Sequence, residues 1–416
     1  MEKILNYKKG YKIVMKILLI DVNCKNSSTG KIVYDLYQGI NKEIDCEAAI
    51  CYGRGPLIQE KNIYKFSSNL ETKIHAFLTR ITGLMGYFSP FATRKLIKFI
   101  DEYKPDVIHI HELHSYFVNI IPLIEFIKKR NIKTIWTFHC EFMYTGKCGH
   151  AYECEKWKNE CKDCPQVKEY PKSLFFDFTR KMFNDKKNIM KDFNNLVITT
   201  PSEWLEKRVK ESFLKDKEIL TIHNGIDTNV FHFTNYEDLK LKYKLKEEKI
   251  VLSVAPDILS ERKGGRWILE LAKQYKDKNI KFILIGVKDL SEKFDENIIP
   301  VGLLSDQKEL AKYYSMADLF LICSKRENFP TTCLEASCCG TPIIGFDEGG
   351  TKETGLENVS SFVQYGDIEN LKKEVDNFLF NKKFNYEEIS KQGIEKYSKK
   401  KMIINYKIKY TNWSVK

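Results

Sequence analysis

Two carboxylates, Glu327 and Glu335, stand eight residues apart in SKRENFPTTCLEASCCGTPIIGFDEGG, residues 324–350. Pro330 and two threonines lie between them, and Gly340, Pro342 and Gly349-Gly350 lie beyond. The apolar run DLFLIC reads as a buried strand, which makes SKREN the loop at its carboxyl end. Pro330 suits a first helical turn, where a missing N–H costs nothing. TTCLEASCCG then reads as a helix stopped at Gly340. The start of such a helix offers free amides and the positive end of a dipole, a ready anion site. Glu335, one turn in, can accept two hydrogen bonds from a vicinal diol, and Glu327 can do the same for other hydroxyls. Asn328, Phe329, Pro330, Thr331 and Thr332 form the loop and helix start and join them as candidate contacts. Gly349-Gly350 permits close backbone approach to a ligand, and Glu353 follows. Singly, each glutamate reads as a cap or a solvated loop acid; the ordered block favours a site.

Other groups sit in comparable places. ERKGG, residues 261–265, follows the apolar run KIVLSVAP, so Arg262 and Lys263 stand where cations can stabilise developing negative charge. His139 ends KTIWTFH. HIHELHSYF carries His109, His111, Glu112 and His114. Strand alternation would set these on opposite faces, which argues against a metal site there. Cys148, Cys154, Cys161 and Cys164 fall in CGHAYECEKWKNECKDCP, a stretch too polar to be core. Four thiolates can hold one structural zinc; two disulfides or reduced thiols are the alternatives. In a chain without a recognisable export signal, metal is favoured over disulfide.

These residues need elements to carry them. The chain has 416 residues, natural for two α/β domains. Its hydrophobic content of 43% and charged content of 30% are those of a globular protein. No apolar run approaches the roughly 20 residues that span a bilayer. The formal net charge of +12 suggests an anionic partner or a solvated lysine-rich surface. MEKILNYKKGYKIV reads as a short leader before a first strand, KILLIDV. Strands are expected at DCEAAICY, DVIHIH, KTIWTFH and LVITTPS, then at KIVLSVAP, KFILIG, NIIPVG, DLFLICS and TPIIGF. Helical patterns such as IPLIEFIKKR and QKELAKYYSMA separate them, the signature of an α/β fold. Each half predicts a doubly wound parallel sheet, whose ligands lie beyond the carboxyl ends of the strands. Cys323, Cys333, Cys338 and Cys339, in apolar runs, read as small core residues. KIHAFLTRITGLMGYFSPFATRKLIKFIDEY mixes basic and aromatic residues at helical spacing. It reads as a surface for a membrane or as ordinary core helices.

As an ordered block, Glu327 and Glu335, Gly340-Thr341-Pro342 and Gly349-Gly350-Thr351-Lys352-Glu353 resemble the signature of retaining GT-B glycosyltransferases of family 4. HNGID at 223–227 resembles that family's inter-domain segment, ERKGG its basic loop, and TFH its first-domain histidine. The resemblance implies a GT-B architecture: two Rossmann-like doubly wound parallel-sheet domains facing a cleft. Residues 1–225 would form the acceptor-side domain, with a cysteine-rich insert near 140–170. Residues 226–390 would bind the donor, and a helix in 391–416 would cross back to the first domain. The implied reaction moves a sugar from a UDP- or GDP-sugar to a glycan or lipid-linked acceptor, with retention. It would take place in the cytoplasm or at the inner face of the membrane, with no catalytic metal or other cofactor and no nucleic acid. Arg262 and Lys263 would hold the leaving diphosphate, Glu327 the sugar and Glu335 the ribose. His139 would stand near the anomeric carbon, and Gly30 of NSSTGK near the donor phosphate. Glu112 and His114 are acceptor-side candidates. Two departures stand out. Asp257 and Ile258 occupy a region where the family often has an arginine, and Cys140 follows His139 where it often has aspartate. An inverting GT-B transferase or a sugar-nucleotide epimerase is the alternative enzyme. A basic nucleic-acid-binding protein is the alternative of another class, without the interleaved aromatic motifs of RNA binders.

Overall fold

The structure is a computed structural model that describes residues 14–42 and 45–414. Apart from Val14, the expected leader lies outside the described residues. The chain forms two compact units. The first runs to Thr199 and takes in Lys210–Ile219 and the stretch from Lys407; the second comprises Thr200–Val209 and Leu220–Tyr406.

The strands are β1 (Met15–Asp21), β2 (Cys46–Tyr52), β3 (Ile63–Lys65), β4 (Val107–Ile110), β5 (Lys133–Thr137), β6 (Leu196–Thr200) and β7 (Glu218–Thr221), then β8 (Lys249–Val254), β9 (Ile280–Ile285), β10 (Ile298–Val301), β11 (Leu319–Ile322), β12 (Ile343–Phe346) and β13 (Ser360–Val363). The helices are α1 (Ser28–Ile40), α2 (Asn69–Thr82), α3 (Pro90–Tyr103), α4 (Ile120–Lys129), α5 (Thr179–Lys191), α6 (Glu203–Lys210), α7 (Glu237–Tyr243), α8 (Gly265–Lys273), α9 (Gln307–Met316), α10 (Thr331–Cys338), α11 (Ile368–Asp376), α12 (Tyr386–Tyr397) and α13 (Lys399–Ser414). All ten expected strands are present. β3, β7 and β13 were not expected. Each has only three or four residues and lies at a sheet edge, where apolar runs are short and polar residues interrupt them.

The first sheet has the order β3-β2-β1-β4-β5-β6-β7 and the second β10-β9-β8-β11-β12-β13. Their paired strands run parallel, as in β1 with β4 and β8 with β11. Parallel strands are covered on both faces, so ILLI in β1 and VIHI in β4 are buried throughout and do not alternate. In each sheet the winding reverses once, between β1 and β4 and between β8 and β11. That reversal opens a crevice at the carboxyl ends.

The second unit shows how the crevice is framed. Ile250 and Leu252 of β8 pack with Cys333, Leu334 and Ala336 of α10. Val251, between them, packs with Ile268, Leu271 and Ala272 of α8. α8 and α10 therefore cover opposite faces of the sheet, and each starts at the end of a switch-point strand. Cys323, Cys333, Cys338 and Cys339 are fully buried, as expected of small core residues. Among the described residues no helix is long and apolar enough to cross a membrane.

Candidate functional site

After β8 the chain makes a tight turn at Glu261–Lys263 and enters α8 through Gly264, whose φ is 74°. A Cβ at Gly264 would lie 1.9 Å from the Cys323 carbonyl, so the basic turn is pressed onto the end of β11. The Lys325 amide donates to the Arg262 carbonyl at 3.0 Å and fastens the two loops together. Lys263 Nζ thereby reaches Glu327 Oε1 at 2.5 Å, with the two side chains only 16% and 14% exposed. Burial pushes the Glu327 carboxyl up. Lys263 beside it, then Arg262 and a hydrogen bond from Ser324, hold it below the usual carboxylate range. Glu327 is a largely buried anion paired with a cation, not a solvated loop acid.

The strap over this pair is the glycine doublet. Gly349 has φ 67°, and a Cβ there would lie 1.9 Å from the Glu327 carbonyl. The Gly350 amide donates to that carbonyl at 2.9 Å. The chain's own loop makes a close approach to this doublet. Glu353 also has a local task, accepting the Glu203 and Trp204 amides, both at 2.7 Å, at the start of α6. The Asn328 side-chain amide oxygen Oδ1 accepts the Ser202 hydroxyl, and Phe329 stacks on His223 at 4.8 Å. Pro330 is the residue before the helix, with ψ 117°, and Thr331 is the first residue of α10. Thr332 lines a small cavity with Lys263, Ser324, Val254 and Ala255 at the ends of β8 and β11. Glu335, 9% exposed, accepts the Tyr314 hydroxyl at 2.9 Å.

The first unit has its own polar group at the β1/β4 reversal. Asp21, at the end of β1, is fully buried and accepts the amides of Asn23 and Glu112 and the Thr29 hydroxyl. Burial pushes its carboxyl up to about 7 against those hydrogen bonds. Gly30, at the start of α1, donates its amide to the Ser27 hydroxyl; a Cβ there would stand 3.2 Å from the Asn23 backbone. Glu112 Oε2 lies 2.5 Å from His114 Nε2 and 3.6 Å from Cys140 Sγ. The expected alternation does not separate these residues, because β4 ends at Ile110 and residues 111–114 are loop. Burial opposes both charges, but each sustains the other. Glu112 is held below its ordinary range and His114 well above.

His139 follows β5. Its Nε2 lies 3.0 Å from His111 Nδ1, and burial lowers it to about 4, so the ring is neutral. His109 is a core residue, in contact with the Tyr410 and Thr137 hydroxyls. Asp21 was missed from sequence, and His111 was named with its neighbours but given no role. Their only signal is position, since each is the first polar residue past the buried apolar run of a switch-point strand.

Cys148, Cys154, Cys161 and Cys164 are all free and line one pocket with Thr145, Gly146, Lys147 and Trp157. The Cys148 thiol is pushed up by its hydrogen bond with Cys164, which is itself pulled down to about 7 by that same contact. Among the described residues, the group whose potential metal-ligand atoms all lie within 4.8 Å of one another is Glu112, His114 and Cys140.

Comparisons with known proteins follow this division of the chain. Residues 32–230 match the family model described as Glycosyltransferase Family 4, and residues 235–400 match Glycosyl transferases group 1. A protein named as a colanic acid biosynthesis glycosyl transferase, WcaC, of Escherichia coli (strain K12) is 23% identical over 423 residues, covering 96% of this chain and all of that protein. Sucrose-phosphate synthase from Thermosynechococcus elongatus superposes with a TM-score of 0.68 at 16% identity, over 96% of this chain and 99% of that one. Anabaena Alr3699/HepE, solved with UDP-glucose, superposes with a TM-score of 0.65 at 13% identity, over 96% of this chain and all of that one. These likenesses carry the GT-B fold.

Proposed function

We propose that this chain, a family 4 glycosyltransferase of GT-B fold, moves a sugar from a nucleotide-sugar donor to a glycan or lipid-linked acceptor with retention at the anomeric carbon. The observation that carries the reading is the largely buried Lys263–Glu327 pair at the β8/β11 reversal, beside the start of α10. Arg262, Lys263 and the first amides of α10 take the leaving diphosphate, whose charge grows as the bond to the sugar breaks. Lys263 moves its hydrogen bond from Glu327 to phosphate, and Glu327 accepts from a sugar hydroxyl. Glu335 holds the ribose, with Asn328 to Thr332 shaping the loop around the donor. The neutral His139 contacts the sugar without adding charge, and Gly30 leaves room for phosphate at the start of α1. Glu112, held as an anion by His114, receives the acceptor hydroxyl. Two cations and helix amides do the work a divalent ion does elsewhere, so turnover withstands chelation by EDTA. HepE with UDP-glucose supports a uridine donor, and WcaC supports a role in surface polysaccharide synthesis. Thermal-shift measurements with UDP, GDP and ADP name the base; no shift with any of them refutes the donor assignment. NMR of the product's anomeric coupling tests retention, and an inverted product refutes it.

A surface of the first unit favours an acceptor at a membrane. α2 buries two polar residues, His75 and Thr79. It leaves Leu70, Ile74 and Phe77, on one helical stripe, 69%, 51% and 63% exposed. His75 explains the inversion: its ring meets the Ser89 hydroxyl and accepts the Gly86 amide. The segment beside α2 is tied to it by the Leu174 amide on the Arg80 carbonyl and presents Phe175, 74% exposed. The start of α3 is tied by Glu71, which accepts the Phe91 amide, and Phe91 is exposed as well. Residues 69–98 and 168–181 together hold nine Lys and Arg against three Asp and Glu. Apolar side chains set among basic ones fit an anionic lipid surface, here the cytoplasmic face where nucleotide sugars are available. Sedimentation with phosphatidylglycerol vesicles should carry the protein down, and phosphatidylcholine vesicles should not. Phe77→Glu with Phe175→Glu should abolish that binding. Equal binding by the double variant, or self-association through the same residues without vesicle binding, overturns the membrane reading.

A further inference from the structure

We propose that Cys148, Cys154, Cys161 and Cys164 hold one zinc ion that staples the segment between β5 and α5. The inference is independent of the transfer reaction. From Phe138 to Phe178 the chain forms neither helix nor strand, apart from the short turn Lys156–Lys158. Segments of that length without regular structure are uncommon inside compact domains unless something ties them. Part of the tie is apolar: Phe142, Tyr144 and Trp157 are buried. The rest converges on the cysteines. Their order is C-x5-C-x6-C-x2-C, and all four side chains line the same pocket.

Two features of the wall suit thiolate rather than thiol. The Gly146 amide donates to Cys161 Sγ at 3.1 Å, and the Gln166 amide donates to Cys164. Amides aimed at sulfur orient and stabilise a ligating thiolate, as the outer shell of metal sites does. Four thiolates around a divalent ion leave a double negative charge, and two lysines stand beside the site. Lys147 lines the pocket. Lys186, 3% exposed, donates to the carbonyls of Phe142, Thr145 and Gly146 behind it. Cys148 and Cys164 already meet in a hydrogen bond, while no three of the four sulfurs lie within 4.8 Å of one another. Zinc draws them the remaining distance as the thiols release their protons, which couples the ion to the order of the segment. The compact Glu112, His114 and Cys140 group is a weaker cage. It offers three donor side chains rather than four, and two of them, Glu112 and His114, already pair with each other.

The test is elemental analysis and X-ray absorption on the full-length protein purified without added metal. The expected result is about one zinc per chain with a shell of four sulfurs at about 2.3 Å. Cys161→Ser with Cys164→Ser should lose the zinc, while Cys46→Ser should keep it. Circular dichroism checks that the variants fold. If the double variant is too unstable to purify, the wild type is titrated with a mercurial, which should release zinc into a colorimetric chelator as four thiols react. Zinc that survives in the double variant and disappears in Cys140→Ser overturns the proposal. So does protein without zinc, whether its four thiols are free or become alkylatable only after reduction.

Discussion

Replacing Lys263 by glutamine separates a catalytic role from a structural one. The wild-type pair is 2.5 Å long with both side chains largely buried, so the substitution leaves the Glu327 carboxylate short of a cation. Removing one partner of a fully buried pair costs about 3–5 kcal/mol. Partial exposure and the neighbouring Arg262 roughly halve that, to about 2 kcal/mol. For a unit of this size the melting temperature then falls by roughly 4–8 °C. The chemical loss should be larger. A charged hydrogen-bond partner on the diphosphate is worth about 1.5–3 kcal/mol, or roughly 10- to 150-fold in nucleotide affinity. Charge stabilisation realised only as the bond breaks adds a loss of about 100- to 1,000-fold in turnover. Calorimetry with the nucleoside diphosphate that gives the largest thermal shift measures the first effect. Initial rates with the matching donor, well below the melting temperature, measure the second. Lys352→Gln, an exposed lysine paired with Asp347 in the same unit, is the control and should change neither. Turnover near the wild-type level in Lys263→Gln would refute the assignment. A loss of rate matched by an equal loss of folded protein would reduce Lys263 to a structural residue.

Gly349→Ala combines a left-handed φ with a Cβ 1.9 Å from the Glu327 carbonyl. It should cost about 2–3 kcal/mol in denaturant unfolding and weaken nucleotide binding by displacing Glu327. Glu353→Gln loses its charged hydrogen bonds to the start of α6 and should cost about 1–2 kcal/mol by urea unfolding, leaving nucleotide affinity unchanged. His75 is lowered to about 3 by burial, so the unfolded chain takes up its proton first as the pH falls below about 6.5. Its contribution to stability is therefore complete at neutral pH and shrinks on acidification, by about 2 kcal/mol at pH 5. Urea midpoints at pH 7.5 and 5 should differ less in His75→Gln than in the wild type, and equal differences would refute the shift.

The buried strands were legible because parallel strands covered on both faces must be continuously apolar. The edge strands β3, β7 and β13 were not, because three or four half-buried residues leave no such run. His139 and Glu112 were legible for a related reason, since polar residues directly after an apolar run mark a strand's carboxyl end, whereas Lys263 and Glu327 lie further from β8 and β11 and were named from the ordered motif. What those residues touch was not legible. Lys263 and Glu327 are 64 residues apart, and Asp21 and Glu112 are 91 apart. Sequence spacing carries no information on such pairs until the strand order is known. The glycine doublet hides its partner for the same reason: a Cβ at Gly349 would meet the carbonyl of Glu327, more than twenty residues away. α2 shows a different limit. Periodicity marks an amphipathic helix, but which stripe faces inward depended on His75 finding partners in Ser89 and Gly86.

The two switch points share a topology and differ in charge. In each sheet, loops leaving two adjacent central strands meet because the winding reverses there. At β1/β4 the meeting brings Asp21 to the Glu112 amide, and His114 pairs with Glu112. Such a group offers acceptors and proton sites, which suits a neutral hydroxyl ligand. At β8/β11 the meeting joins Glu327 to Lys263 with Arg262 alongside and a helix start adjacent. That group has cationic charge to give to an anion and one carboxylate left for a hydroxyl. The proposed transfer, with an anionic leaving group and a hydroxyl acceptor, uses that difference in charge. Reversing the charge at position 263 with Lys263→Glu should therefore abolish nucleotide binding in calorimetry. Reversing it at 114 with His114→Glu should leave nucleotide affinity within about twofold, less than 0.5 kcal/mol, while turnover falls. Equal loss of nucleotide affinity in both variants would show that the two groups are not divided between donor and acceptor.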